Sequence, residues 1–252
     1  MHYYTYITEM RPIKSLITYF KQKKHYLLCA LIFFVSILLL HKVENHFVLT
    51  KISVINSNQQ KIDLNGITAL TGSNLFSLNI SETQRVILKS NPVIKSIEIR
   101  KILPNELSVN ITMRTPLMYL KLQKGYFLLD EDGVIIKKVD DVLTKNIPVA
   151  TYYQIISRAL YNTGDTLPNK DILDSLFFLS SLRSMRISIN SIDIAGFDML
   201  GLYTTNEKFY FSSEKDTELQ EYQLSESVRT FRLSGKKFKT LDLRFEKPVV
   251  TF

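Results

Sequence analysis

Residues 91–112 have the sequence NPVIKSIEIRKILPNELSVNIT, and this stretch decides the fold class of the central part of the chain. Apolar and polar residues alternate over Val93–Arg100 and again over Leu107–Thr112, which is the pattern of half-buried β-strands. Pro104 and Asn105 favour a turn between them, so the two strands are expected to pair as a hairpin. The predicted inward-facing residues are Val93, Ile97, Ile99, Leu107, Val109 and Ile111.

Three further elements are predicted upstream of this hairpin. Alternation over Val48–Ile55 predicts a strand, and apolar residues at helical spacing over residues 62–70 predict a helix that stops near Gly72. A second helix is expected from Glu82 to Lys89, because residues 81–84 fit the S-x-x-Q capping box that starts at Ser81. Its predicted inward-facing residues are Val86 and Ile87. The order strand, helix, helix, strand, strand suffices for a two-layer domain.

A strongly apolar segment, Tyr26 to Leu40, precedes this domain. No charged residue lies between Lys24 and Lys42, a span of 17 residues, which as a helix measures about 25 Å and is at the short end of what crosses a bilayer. A buried core helix would show more polar periodicity than the single Ser36, and no A-x-A cleavage pattern follows the segment. We therefore predict an uncleaved transmembrane signal anchor over residues 25–42.

The flanking charges predict the topology of that anchor. Lys21, Lys23 and Lys24 lie on its N-terminal side, and the positive-inside tendency keeps residues 1–24 in the cytoplasm. The remainder is then exported across the cytoplasmic membrane. Residues 1–42 carry six basic residues and one acidic residue, whereas the other 210 residues carry 26 basic and 23 acidic ones. The nearly neutral bulk gives no indication of a nucleic-acid partner.

The C-terminal half is predicted to be rich in strands. Hairpins are expected from Met118–Leu122 with Tyr126–Leu129 and from Leu200–Thr204 with Phe209–Ser212, and an Asp132-Gly133 turn leads into a strand at residues 134–136. A further strand is expected over Ile187–Ile194. Helical spacing predicts helices over Lys170–Met185 and residues 217–233. The fold class is therefore α+β, with the C-terminal part an antiparallel β-rich domain with flanking helices.

Enzymatic chemistry is poorly supported by the residues that are present. The four histidines all lie in the first 46 residues, and Cys29 is the single cysteine, so no His or Cys follows residue 46. That excludes Ser-His and Cys-His couples and His-ligated metals from residues 47–252. The acidic turn Asp130-Glu131-Asp132-Gly133 lacks the distal ligands of a calcium loop. We expect no catalytic residue, metal, cofactor or small-molecule substrate.

The order of these parts and four short motifs resemble the FtsQ/DivIB family of bacterial cell-division proteins. Residues 91–107, with N-P-V, I-E-I-R and L-P-N-E-L, resemble one signature of that family. Arg114-Thr115-Pro116, Leu129-Asp130-Glu131-Asp132-Gly133 and Leu241-Asp242-Leu243-Arg244-Phe245 resemble three others, and all four occur in the family's order.

The resemblance implies a domain organisation and a function. It implies a POTRA domain at residues 47–116 and an FtsQ-type β domain at residues 117–252. It further implies a non-enzymatic scaffold in the cytoplasmic membrane at the division site, which binds FtsB/FtsL-type partners through the β domain and an FtsK-like partner through the POTRA domain. Such a scaffold helps to recruit and regulate septal peptidoglycan synthesis. The alternative is a POTRA-containing envelope secretion or outer-membrane assembly factor, although this chain has no second N-P-V … L-P-N copy.

The last segment, Lys239–Phe252, is predicted to be a terminal strand with an exposed edge. Pro248 cannot donate a ladder hydrogen bond, which favours an edge position or a bulge. A partner strand could therefore add to this edge, with helix 217–233 as a second wall. The predicted partner-binding residues are Phe245, Lys247, Val249, Val250 and Phe252. Leu243 is expected in the core, and a core position is the alternative to partner binding for Phe245. Asp242 and Arg244 are expected in cross-strand ion pairs.

Overall fold

The structure is a computed structural model that describes Tyr26, residues 28–38, residues 46–56 and residues 64–252. Residues 28–38 are helical and exposed. Among the described residues, no helix combines the length and the apolar character that a membrane crossing requires. Leu40 and the three lysines Lys21, Lys23 and Lys24 lie outside the described residues, so the signal anchor and its orientation stay predictions.

The first sheet has three strands and one packed α-helix. It comprises β1 (Lys51–Asn56), α1 (Ile80–Ser90), β2 (Ile94–Ile102) and β3 (Glu106–Met113), in the strand order β1-β3-β2. β1 pairs parallel with β3, and β2 pairs antiparallel with β3 through the predicted turn at Pro104 and Asn105. The buried residues Ile87, Ile97, Leu107 and Val109 contribute to one core between helix and sheet.

Several details of this first domain differ from the expectations. The predicted helix before Gly72 is a short 3₁₀ turn, Thr68–Leu70, within the described residues. The capping residue of α1 is Asn79, whose side chain accepts from the backbone N–H of Glu82, and not Ser81. Asn79 lies directly before the first helical residue, so its oxygen reaches an amide of the first turn.

Two residues predicted to face inward are exposed. Val86 and Ile87 were both predicted to face inward from α1. Ile87 is buried, but Val86 lies on the exposed side of the helix. Val93 lies before β2 and is exposed, because a bulge between Ile94 and Ser96 shifts the alternation by one residue and turns Ile94 inward. The other five residues predicted to face inward are buried, as the alternation indicates.

The second sheet has nine strands and carries two helices on one face. We call these elements the β domain. Its members in chain order are β4 (Met118–Lys121), β5 (Tyr126–Leu129), β6 (Ile135–Val139), β7 (Val149–Tyr152), α2 (Lys170–Ser184), β8 (Ser191–Gly196), β9 (Met199–Tyr203), β10 (Lys208–Phe211), α3 (Thr217–Ser234), β11 (Thr240–Asp242) and β12 (Val249–Thr251). The strand order is β12-β11-β10-β9-β8-β7-β4-β5-β6.

This sheet is mixed, which corrects the expectation of an antiparallel one. β7 pairs parallel with β4 and with β8, and β10 pairs parallel with β11. α2 connects β7 to β8, and α3 connects β10 to β11, because parallel neighbours need a crossover and a helix supplies one. Both helices bury their apolar residues in the same core, where the rings of Phe178 and Phe211 stack.

Two boundaries in the β domain also differ from the sequence expectation. The strand predicted over Ile187–Ile194 begins only at Ser191, because residues 187–190 form the extended exit from α2. The segment predicted as one terminal strand is a hairpin of β11 and β12, since residues 243–248 form a turn between them. The sequence analysis did not identify β7, a four-residue strand between two long loops.

Candidate functional site

The C-terminal strand β12 forms one edge of the nine-stranded sheet. It pairs antiparallel with β11, with Leu241 opposite Val250 and Asp242 opposite Val249. Within the described residues no strand pairs with its outer side. The carbonyl oxygen of Thr251 accepts from the backbone N–H of Lys239, so the backbone groups of Thr251 point towards β11. Because these groups alternate along a strand, the N–H and C=O of Val250 point outward.

The side chains predicted to bind a partner lie around this edge. Phe245 is 52% exposed, Val249 47% and Phe252 66%, and Lys247 is also exposed. Val250 differs, because it is half-buried and packs against the core of the β domain. Val250 therefore presents only its backbone to a partner. Leu243 is fully buried, as expected.

Arg244 orders the turn that carries Phe245. Its Nε and Nη2 donate to the two carboxylate oxygens of Asp242 at 2.9 and 2.7 Å, and its guanidinium lies 5.4 Å from the ring of Tyr210 and 5.7 Å from that of Phe245. The hydrogen bond to Asp242 raises the pKa of Arg244 above its usual value. The predicted cross-strand ion pairs are therefore wrong, because Arg244 in the turn pairs with Asp242 at the end of β11. Phe245 is held in an exposed position beside a fixed cation.

Helix α3 flanks the same edge, as the sequence analysis expected. Gln223 on α3 donates from Nε2 to the backbone carbonyl of Glu246 at 2.9 Å, and the rings of Phe231 and Phe252 are 6.1 Å apart. Asp216 caps the N-terminus of the helix, where its side chain accepts from the N–H of Leu219, and Gly235 caps the C-terminus with a φ of +67°. These contacts place the exposed ring of Phe252 between the strand edge and the helix.

An ion pair that the sequence analysis did not identify joins the two domains. Arg114, directly after β3, donates from Nη1 to Oδ2 of Asp130 at 2.5 Å, and both side chains are largely buried. The other oxygen of Asp130 accepts from the backbone N–H groups of Asp132 and Val134 and so holds the turn between β5 and β6. Two of the four motifs therefore meet in space, a contact that their separation in sequence does not reveal.

A second, exposed ion pair lies beside this joint. Lys95 on β2 contacts Glu131 at 2.6 Å and Asp132 at 3.2 Å. Its pKa is raised by hydrogen bonds first to Glu131 and then to Asp132. Among the described residues, no group of three or more His, Cys, Asp or Glu side chains is placed to hold a metal ion.

A sequence model described as "POTRA domain, FtsQ-type" matches residues 52–114, which include β1, α1, β2 and β3. The chain carries an FtsQ-type POTRA domain. The stretch that matches this sequence model ends at Arg114. The POTRA domain therefore ends at the residue that forms the ion pair with Asp130. The mixed sheet that follows the POTRA domain gives an α+β architecture of a small and a large sheet.

The amino-acid sequence is similar to those of proteins named as cell-division proteins. The chain is 24% identical over 149 residues to cell division protein DivIB of Clostridium tetani, which is 57% of this chain and 55% of that protein. It is 26% identical over 153 residues to DivIB of Clostridium acetobutylicum (56% and 54%) and 33% identical over 90 residues to cell division protein FtsQ of Rickettsia bellii (34% and 33%). The chain spans about half the length of the first two relatives. The resemblance to the FtsQ/DivIB proteins is confirmed.

Proposed function

We propose that this protein is a non-enzymatic scaffold of the cell-division machinery that binds an FtsB/FtsL-type partner by strand addition at β12. Through that partner it helps to recruit and regulate septal peptidoglycan synthesis. The proposal includes a single-pass signal anchor over residues 25–42, a cytoplasmic tail and location at the division site. It also includes an FtsK-like partner for the POTRA domain.

The unpaired edge of β12 is the observation that carries the proposal. A strand edge offers backbone donors and acceptors that a partner strand can satisfy. In this mode of binding the main-chain hydrogen bonds give the affinity, and the side chains of the two strands give the specificity. Phe245, Val249 and Phe252 are large exposed apolar side chains along and next to that edge, and such side chains rarely cluster on a surface without a binding role. Lys247 adds a positive charge that favours an acidic partner side chain.

The similarity to proteins named as cell-division proteins supports the cellular part of the proposal. The anchor is supported by the apolar segment from Tyr26 to Leu40 and by the lysines on its N-terminal side. An anchor of this kind would keep the exported domains next to the membrane, where septal synthesis takes place.

Imaging during depletion tests the cellular role. The cytoplasmic N-terminus is tagged with a fluorescent protein, and the chromosomal copy is placed under a repressible promoter. We expect a band of fluorescence at the division plane and a block in septation after depletion. A uniform envelope signal with normal division would contradict the scaffold function, and an envelope secretion or assembly defect would then identify the alternative.

A further inference from the structure

The β domain has a second notable surface at the end of the sheet opposite to the Asp242–Arg244 pair. Three adjoining hollows of about 370, 250 and 820 Å³ share Ile187 in their lining. We call them together the basic groove, because six exposed cationic residues line them: Arg183, Arg186, Arg232, Lys236, Lys237 and Lys239. Among the described residues that line the groove, Glu207 is the single carboxylate.

These cations are not used to stabilise the fold through ion pairs. In the described part of the chain none of the six contacts a carboxylate within salt-bridge distance. Arg232 donates to the backbone carbonyl of Met185 at 2.6 Å, and Lys239 to that of Phe252 at 3.1 Å. Six cations beside a single carboxylate repel one another in the free protein and favour an anionic ligand.

The helix dipoles do not account for so much charge. α2 and α3 both end at the groove, and each C-terminus is equivalent to about half a negative elementary charge. Together with Glu207 they offset roughly two of the six positive charges. Favourable interactions with the helix C-termini therefore do not explain the presence of the other positive charges in the groove.

Arg186 gives a second, independent indication. It has φ of +60°, and among the described residues it is the one non-glycine residue with positive φ. It occupies the position after the C-cap of α2, where Ile187 donates to the carbonyl of Leu182 at 2.9 Å in the helix-ending motif that normally uses glycine. The backbone would be more stable with glycine there. Arg186 therefore occupies this position at a local conformational cost, and residues held in such conformations cluster at functional sites.

The floor of the basic groove is apolar. Ile187 is half-buried, and Ile189 and Phe238 are buried beneath the cationic rim. An anionic polysaccharide or nucleic acid has no branched aliphatic side chain to bury against this floor, and a flat lipid surface does not enter a concave groove. We propose that the basic groove binds an acidic peptide segment of a protein partner, in which carboxylates alternate with large apolar side chains. This interaction is separate from strand addition at β12.

Binding of a model peptide to the full chain in neutral detergent tests the proposal. The probe is a fluorescently labelled peptide of alternating Glu and Leu, measured by anisotropy at increasing salt, beside a Glu/Ser peptide of equal charge. We expect salt-sensitive binding of the Glu/Leu peptide that Lys236→Glu with Lys237→Glu weakens roughly tenfold. The matched pair Lys121→Glu with Lys124→Glu changes the net charge equally at another exposed site and should leave the affinity unchanged.

Arg186→Gly separates binding from folding. It should weaken the binding of the Glu/Leu peptide roughly threefold. At the same time it should raise the thermal midpoint of unfolding, since glycine suits the left-handed backbone. Val250→Pro, which alters the strand edge, should leave the affinity of this peptide unchanged.

Three results would overturn the proposal. The first is that the matched pair of substitutions weakens binding of the Glu/Leu peptide as much as the groove substitutions do. The second is that the protein binds the Glu/Ser peptide as tightly as the Glu/Leu peptide. The third is that the groove binds phosphatidylglycerol vesicles but not the Glu/Leu peptide.

Discussion

Arg114 and Asp130 form a buried ion pair at 2.5 Å that connects the end of the POTRA domain to the turn between β5 and β6 of the β domain. Asp130 also accepts two backbone N–H groups of its own turn, so one carboxylate both shapes the turn and fixes the neighbouring domain. The pair thereby limits rotation of the POTRA domain against the β domain. A fixed relation between the two domains is what the proposed scaffold function would require.

Removal of one partner of this pair should be costly. Arg114→Met leaves the carboxylate of Asp130 buried without its cation, and we expect a loss of about 3 to 5 kcal/mol in the free energy of unfolding. The measurement is denaturant unfolding of the full chain in detergent. Lys95→Met is the matched control at the exposed pair beside it and should cost about 1 kcal/mol or less. Equal losses for the two variants would show that burial of the Arg114 pair contributes nothing.

Phe177 and Phe178 are neighbours with opposite environments. Phe178 is fully buried, and its ring stacks on that of Phe211 with centroids 3.9 Å apart, whereas Phe177 is 40% exposed. Phe178→Ala should therefore lower the free energy of unfolding by about 3 to 5 kcal/mol. Phe177→Ala should lower it by about 1 kcal/mol or less. Similar losses in urea or thermal unfolding would contradict the packing of α2 on the sheet.

Tyr203 should make stability fall at alkaline pH. Burial, followed by the neighbouring Tyr210, raises its pKa to about 12 from the ordinary value of 10.0. The unfolded chain releases this proton near the ordinary value while the folded chain keeps it, so the free energy of unfolding decreases between those two pH values. Tyr203→Phe should reduce this decrease. An identical pH profile for the variant and the original chain would contradict the assignment.

Gly201 offers an independent check of the position of Tyr203. A Cβ on Gly201 would overlap the hydroxyl of Tyr203, so Gly201→Ala should move that ring away. Ultraviolet titration of tyrosinate formation should then show ionisation of Tyr203 closer to pH 10.0, its ordinary value. An unchanged titration curve would mean that the ring does not lie over Gly201.

Much of the fold follows from local patterns in the sequence. The strands β2 and β3 and the helices α2 and α3 lie where alternation or helical spacing predicts them, because each buries mainly one face. The strands β5 and β9 also lie where they were predicted, although consecutive residues in both are buried. The bulge at Ile94 was not predictable, since it depends on pairing with β3. The same holds for β7, a short strand stabilised by two parallel neighbours.

The candidate site was predictable only in its position on the chain. The sequence analysis expected an edge strand in this segment, and β12 lies at the edge of the sheet. The turn at residues 243–248 was not foreseen, because it depends on Arg244 turning back to its own Asp242. The inward side chain of Val250 follows from that turn, which resets the alternation between β11 and β12.

The most direct measurement of the central claim compares Val250→Pro with Val250→Ala. Both variants lose the branched side chain of Val250 from the core, but only proline removes the outward-pointing N–H that a partner strand would use. Binding of a purified FtsB/FtsL-type partner complex to the full chain is measured together with the thermal midpoint of each variant. Strand addition at β12 predicts that Val250→Ala retains most of the affinity and that Val250→Pro loses at least roughly tenfold more. Equal affinities for the two variants, with both folded, would contradict strand addition at this edge.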